Sequence, residues 1–238
     1  MARRTARGLS INYCIILHMV IDILTLFPEM FDGPFDESIL KRAKNKALVE
    51  IIIHNLRDYA TDRHHTVDDR PFSGGPGMIL RVDIVDRAIN ALKLETRNSK
   101  LETKTVLLDA GGEKYTQQKA QSFSKLGHLI LICGHYEGID HRIHEHLVDE
   151  IISVGDYVLT GGELPAMIIA DSVVRLLPGV LGDDQSTLEE SHSTPGYLEY
   201  PQYTRPEEYN GWKVPEILLS GNHGAIKEWQ ELHSGKQK

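Results

Sequence analysis

Apolar residues fall along this chain in short β-branched blocks, each followed by a polar stretch or a helical pattern. Val20-Ile21-Asp22-Ile23-Leu24-Thr25-Leu26-Phe27 has strand length and stops at Pro28, which predicts a buried strand. Residues 37–47 carry apolar positions at helical spacing among several lysines and predict a helix, with a second strand over 48–53. Residues 83–94 read as an amphipathic helix. Three units of one kind follow: residues 105–112, 129–138 and 150–155 are apolar runs that each end in glycine, with helical segments at 117–124, 141–147 and 166–177. Repetition of strand, glycine loop and helix predicts an α/β fold, a parallel sheet flanked by helices, whose ligands bind beyond the carboxyl ends of the strands.

The third unit runs through Gly155 into Gly161-Gly162 and Pro165, a tight turn able to hold a small molecule with backbone groups. One such turn alone reads equally as a plain strand-to-helix connection; three converging on one sheet edge predict a pocket. Residues 62–78, polar and then glycine-rich, are too long for a simple turn, and long loops in compact domains are often functional. Within it His64, His65, Asp68 and Asp69 are candidates for polar substrate contacts, or else a solvated loop. Residues 182–200 hold five acids and no Lys or Arg, the composition of a mobile linker. Residues 201–238 then form a small, mostly helical domain whose last helix is capped by Asn222.

Composition changes the picture in three places. A net charge of −8 over 238 residues provides no global basic field for nucleic acid or an anionic membrane, so any RNA contact must be local. Cys14 and Cys133 fit neither a disulfide framework nor a metal site, which suits a reducing cytoplasm. Residues 1–18 carry Arg3, Arg4 and Arg7 before an apolar run but no small-residue cleavage site, and His18 and Asp22 interrupt the run; we expect an extension before a domain that starts at Met19, and no membrane span. No G-x-G-x-x-G follows a strand and no G-x-x-x-x-G-K-[ST] occurs, which disfavours nicotinamide cofactors and nucleoside triphosphates. The cluster from His141 to His146 lacks H-E-x-x-H spacing and reads as a solvated helix, so no metal ligand is assigned.

Several blocks, in order, carry a resemblance. They are Leu26-Phe27-Pro28-Glu29-Met30-Phe31, Thr66-Val67-Asp68-Asp69-Arg70-Pro71, Gly74-Gly75-Pro76-Gly77-Met78, Tyr136-Glu137-Gly138-Ile139-Asp140, Gly155-Asp156-Tyr157-Val158-Leu159, Gly161-Gly162-Glu163-Leu164-Pro165-Ala166, Leu177-Pro178-Gly179-Val180-Leu181-Gly182, Tyr203-Thr204-Arg205-Pro206 and Leu218-Leu219-Ser220-Gly221-Asn222-His223. Together they resemble the bacterial tRNA (guanine-N1)-methyltransferases, the TrmD family of the SPOUT superfamily. The resemblance implies a SPOUT domain over 19–181 ending in a C-terminal trefoil knot formed by the three glycine loops, an exception to the rule against knots. It also implies S-adenosylmethionine as methyl donor, a Mg²⁺ requirement without a fixed site, a homodimer with shared active sites, and methylation of guanine 37 in the tRNA anticodon loop when guanine precedes it.

Carried over residue by residue, the cofactor-binding positions are Leu108 and Asp109; Gly134, Tyr136 and Glu137; and Val154, Gly155, Asp156, Tyr157, Val158, Leu159, Gly161, Gly162 and Pro165. The chemistry agrees: adenine needs an apolar slot and backbone hydrogen bonds. Neutral guanine N1 carries a proton and is a poor nucleophile, so a carboxylate must remove it while a guanidinium stabilises charge on O6. The matching catalytic positions are Glu190 and Arg175. Here the chain departs from the family pattern, which has aspartate at the base position. Glu190 as base, Glu189 in its place after a slip in register, and reduced activity are the three consequences weighed. Arg63, Arg70, Arg205 and Lys213 are candidate phosphate contacts. Two rival functions stay open on the residues: a SPOUT ribose 2′-O-methyltransferase, and a non-catalytic RNA-binding protein retaining the fold.

Overall fold

The computed structural model describes residues 19–96, 101–182 and 190–236. The expected extension over 1–18, residues 183–189 of the expected linker and the alternative base Glu189 lie outside them. The first unit is β1 (Met19–Thr25), α1 (Ser38–Asn45) and β2 (Val49–Asn55), with a 3-10 turn over Pro28–Phe31. Two short strands, β3 (Asp68–Asp69) and β4 (Ile79–Leu80), pair antiparallel and close the long polar stretch on itself. Then come α2 (Val82–Thr96), β5 (Thr103–Lys114), α3 (Gln117–Phe123), β6 (His128–Cys133), α4 (His141–His146), β7 (Glu150–Ser153) and α5 (Glu163–Val174). The chain continues through β8 (Tyr197–Leu198), the hairpin β9 (Glu208–Tyr209) and β10 (Trp212–Lys213), α6 (Glu216–Leu219), α7 (His223–His233) and β11 (Gly235–Lys236), which pairs with β8.

The main sheet has five strands in the order β2-β1-β6-β5-β7, with every pairing parallel. A parallel sheet needs both faces covered, and the strands supply apolar side chains to both. On β6, Leu129, Leu131 and Cys133 join one core with Val106, Phe123, Ile169 and Val173, while Ile130 and Ile132 join another with Ile84, Val85, Ala88 and Ile143. Alternate residues thus face opposite helical layers, α1, α3 and α5 on one side and α2 and α4 on the other. Each fully buried Leu or Ile contributes roughly 2 kcal/mol by apolar burial.

The end of β5 differs from the sequence expectation. β5 does not end at Gly111-Gly112; it continues to Lys114 after an irregularity in its register with β7 between Leu108 and Glu113. The reason is space, because a Cβ on Gly112 would lie 2.6 Å from the carbonyl carbon of Ile151. The last helix begins as expected, with the Asn222 side chain accepting from the Ala225 N–H at 3.3 Å.

A polar network centred on Asp22 reaches into the core. The Asp22 carboxylate accepts from or pairs with His54 Nε2 and His128 Nε2, each at 2.7 Å, and Thr103 Oγ1 meets His128 Nδ1 at 3.1 Å. Burial works against the charged Asp22, but the hydrogen bonds from the two imidazoles more than offset it, so its pKa lies below the ordinary carboxylate value. The unfolded carboxyl titrates near ~3.9, so this contribution is complete above that pH and lost as pH falls through the lower folded value. Asp22→Ala, which leaves both imidazoles without their partner, should destabilise the fold by about 3 kcal/mol, read as a lower urea midpoint.

Candidate cofactor cavity and catalytic pair

A segment at the register irregularity within β5 and the segments that follow β6 and β7 enclose a cavity of about 240 Å³. From the first segment Leu108 and Asp109 line it, from the second Gly134, Tyr136 and Glu137, and from the third Val154, Tyr157, Val158, Leu159, Gly161, Gly162 and Pro165. Gly155 and Asp156 do not. Gly155 lies under the Tyr157 ring, where a Cβ would come within 2.3 Å of Cε1, and the Asp156 carboxylate accepts from Lys114 Nζ at 2.6 Å.

Local sequence explains the closure. The Gly162 N–H donates to Gly134 O at 2.9 Å, and a Cβ on Gly162 would fall 2.6 Å from Cys133 Cα and 2.8 Å from Gly134 N. Only glycine lets the second and third loops touch backbone to backbone. Tyr136 adopts φ of 62°, a left-handed conformation costing a side-chain-bearing residue about 1 kcal/mol. The glycine-rich end of the long polar stretch is laced to this loop: Glu137 N–H donates to Met78 O at 3.2 Å, and Leu80 N–H to Gly138 O at 3.1 Å. That stretch therefore borders the cavity. None of His64, His65, Asp68 and Asp69 lines it: the two histidines belong to a turn organised by Asp62, and the two aspartates form β3.

Apolar Leu108, Val154, Leu159 and Pro165 give the cavity a slot for a flat ring, and Asp109 and Glu137 give it two carboxylates. This donor set suits a ligand with an adenine-like ring, hydroxyls and positive charge, as S-adenosylmethionine has. Asp109 is held from behind: its Oδ1 accepts from Gly111 N–H at 2.7 Å, and its Oδ2 lies 3.4 Å from His144 Nε2. His144 belongs to the cluster read as solvated, yet its side chain is mostly buried. His135 and Ile139 also line the cavity and were missed; their only signal in the sequence is position within the loop that carries Gly134, Tyr136 and Glu137.

Arg175 caps the carboxyl end of α5 and grips Glu190 as a fork, Nη1 donating to Oε2 at 2.8 Å and Nη2 to Oε1 at 2.5 Å. The hydrogen bonds from its guanidinium to this carboxylate raise the Arg175 pKa. Glu190 is itself held by a turn, with Ser193 N–H donating to its carbonyl at 3.0 Å. Sequence reasoning chose these two residues separately, and the fold pairs them. It does not bring them to the cavity, which neither lines. Arg175 follows the cavity residue Pro165 by ten positions on α5, about 15 Å along a helix.

The family model described as tRNA (Guanine-1)-methyltransferase TrmD matches residues 19–238. The chain belongs to the TrmD family. A tRNA (guanine-N(1)-)-methyltransferase of Dictyoglomus turgidum is 53% identical over 217 residues, covering 91% of this chain and 85% of that protein. One of Bacillus licheniformis is 55% identical over 216 residues, 91% of this chain and 87% of its own length. A third, of Bacillus pumilus, is 54% identical over 219 residues, 92% and 88% of the two chains. The TrmD match spans all three cavity loops and the Arg175–Glu190 fork. Among the described residues no helix is long and apolar enough to cross a membrane.

Proposed function

We propose that this chain methylates N1 of guanine 37 in tRNA, with guanine at position 36, using S-adenosylmethionine, and that it works as a cytoplasmic homodimer. The observation that carries the reading is the meeting of the irregular stretch of β5 with two glycine-bearing loops in one cavity with an apolar slot and two carboxylates, in a chain of the TrmD family. S-adenosylmethionine, when bound, would supply an electrophilic methyl group, its sulfur–methyl bond breaking in the transfer so that the sulfonium leaves as a neutral thioether. Gly134, Gly161 and Gly162 would offer backbone groups to its adenosine, and Leu108, Val154, Leu159 and Pro165 an apolar slot. Glu190 accepts the guanine N1 proton as the bond from N1 to the methyl carbon forms. Arg175 holds the Glu190 carboxylate in a fixed orientation, and its remaining N–H groups stabilise charge gathering on O6.

A separation of about 15 Å along α5 between cavity and fork is too great for one chain to join them in a single reacting centre. Two copies resolve this if the cavity of one meets the fork of its partner. α5 supports such pairing: Leu164 and Ile168, one turn apart, are 48% and 46% exposed, and the turn bearing Phe27 and Met30, also exposed, packs beside this helix. Ile168→Glu should shift the protein to a monomer in analytical ultracentrifugation and abolish transfer while leaving the circular dichroism spectrum unchanged.

The trefoil knot, a methyltransferase domain over 19–181, a linker over 182–200 and a tRNA-binding domain over 201–238 belong to the same proposal. Arg63, Arg70, Arg205 and Lys213 would provide its local phosphate contacts. Among the described residues no three His, Cys, Asp or Glu side chains converge as a metal site. Purified protein, labelled methyl donor and unmodified tRNA transcripts test the function. Base-methylated guanosine from G36-G37 transcripts, and little from A36-G37, is expected. Ribose methylation would point to the 2′-O-methyltransferase reading, and binding without transfer to the non-catalytic one.

A further inference from the structure

We propose that Glu163 is a positioning residue for the cofactor cavity, its buried carboxylate clamping the Gly161-Gly162 turn through Thr25 and His135 without touching the ligand. The proposal rests on the reading of the cavity as the S-adenosylmethionine site. Glu163 is the first residue of α5 and is 1% exposed, yet it does not line the cavity, although Gly161, Gly162 and Pro165 around it do. A carboxylate so placed is costly unless its oxygens are engaged. Its Oε1 accepts from the Thr25 hydroxyl at 2.8 Å, and Thr25 Oγ1 accepts in turn from Phe27 N–H at 2.9 Å. The Phe27 ring packs on His135 with centroids 4.6 Å apart, and His135 is part of the cavity wall.

Oε2, the second oxygen, occupies the space beside the turn where a side chain on Gly161 would stand. A Cβ built on Gly161 would lie 2.3 Å from Glu163 Oε2 and 2.7 Å from His135 Nδ1, a buried nitrogen without a hydrogen-bond partner among the described residues. Carboxylate and imidazole therefore bear on the same side of Gly161. One residue later, Gly162 meets the backbone of Cys133 and Gly134. The turn is gripped by Glu163 and His135 at one glycine and by the second loop at the next, and the grip is anchored to the end of β1, 138 residues away in sequence. α5 has no side-chain cap at Gly162, and a negative group at its first position also suits the helix dipole.

Binding of S-adenosylmethionine, measured by calorimetry without tRNA, tests the clamp. Glu163→Ala should weaken it about tenfold or more, since a relaxed turn misplaces backbone donors by a fraction of an ångström. Glu163→Gln keeps the acceptor for Thr25 and the volume and should stay within about threefold of wild type. Thr25→Val should weaken binding about fivefold, and adding it to Glu163→Ala should cost nothing further, because both remove one linkage. In turnover the rise should fall on KM for the methyl donor, with KM for tRNA within about twofold, a split that general destabilisation does not produce. Glu163→Ala within twofold of wild type, Gln as harmful as Ala, or additive effects of Thr25 and Glu163 would each overturn the clamp. If Glu163→Ala does not fold, Thr25→Val and Glu163→Gln decide by the same split between the two KM values. A wild-type protein that binds no S-adenosylmethionine would instead overturn the cavity reading, and the clamp with it.

Discussion

Replacing Glu190 with glutamine should lower kcat for methyl transfer by about 10³-fold while leaving S-adenosylmethionine binding unchanged. The amide preserves size but cannot take the N1 proton, and its NH₂ group meets a guanidinium that offers only donors. Cofactor binding is spared because neither Glu190 nor Arg175 lines the cavity. Arg175→Lys, which keeps the charge but breaks the two-pronged grip, should lose about 10²-fold, because an ammonium cannot hold both carboxylate oxygens in the plane that the fork sets. Single-turnover rates on G36-G37 tRNA read both. Full activity of Glu190→Gln would remove this residue from the role of base and direct attention to Glu189. A glutamate in place of the aspartate expected at this position extends the carboxylate by one methylene, and the fork with Arg175 shows what fixes the longer side chain.

Gly162→Ala should weaken S-adenosylmethionine binding by about 100-fold and also lower the thermal midpoint. The new methyl group would stand 2.6 Å from Cys133 Cα and 2.8 Å from Gly134 N, backbone atoms that cannot turn aside as a flexible side chain can. Relief requires parting the second and third loops, and the cavity between them opens with that movement. Calorimetry and a melting scan check the two effects. The same variant probes the shared site: Gly162→Ala and Glu190→Gln chains should each be strongly impaired alone at limiting S-adenosylmethionine, but co-expressed they should regain activity, since one site of the mixed dimer joins an intact cavity to an intact fork. No recovery in isolated mixed dimers would place cavity and fork of one reacting centre in the same chain.

Much of the fold was legible because its signals are local. The β-branched runs at Val20 and Leu129 are strands by composition, and Asn222 announces a helix by the hydrogen bond its side chain makes three residues on. Glycine was the ambiguous letter. At Gly162 it marks a loop pressed against another, at Gly112 a place inside a strand where β7 comes close, and nothing short of the tertiary contact separates the two. Long-range pairings left no trace in the sequence for the same reason. Lys114 draws Asp156 into an ion pair across 42 residues, and His144 reaches Asp109 from a helix that looks wholly solvated in isolation. The cavity was found largely through the resemblance, with the physical reading of three glycine loops in agreement. The separation of cavity from fork came from the structure.

That separation is set by α5, whose buried side chains Ala166, Ile169, Ala170, Val173 and Val174 fix its rotation against the sheet. A residue inserted or deleted between Pro165 and Arg175 would turn Arg175 through about 100° and shift it by about 1.5 Å. Substitutions on the exposed side of this helix can drift freely within the limits of the interface, whereas its length cannot change by even one codon. In any descendant that keeps the activity, α5 is inherited as a gauge block: free to vary in letters, closed to variation in count.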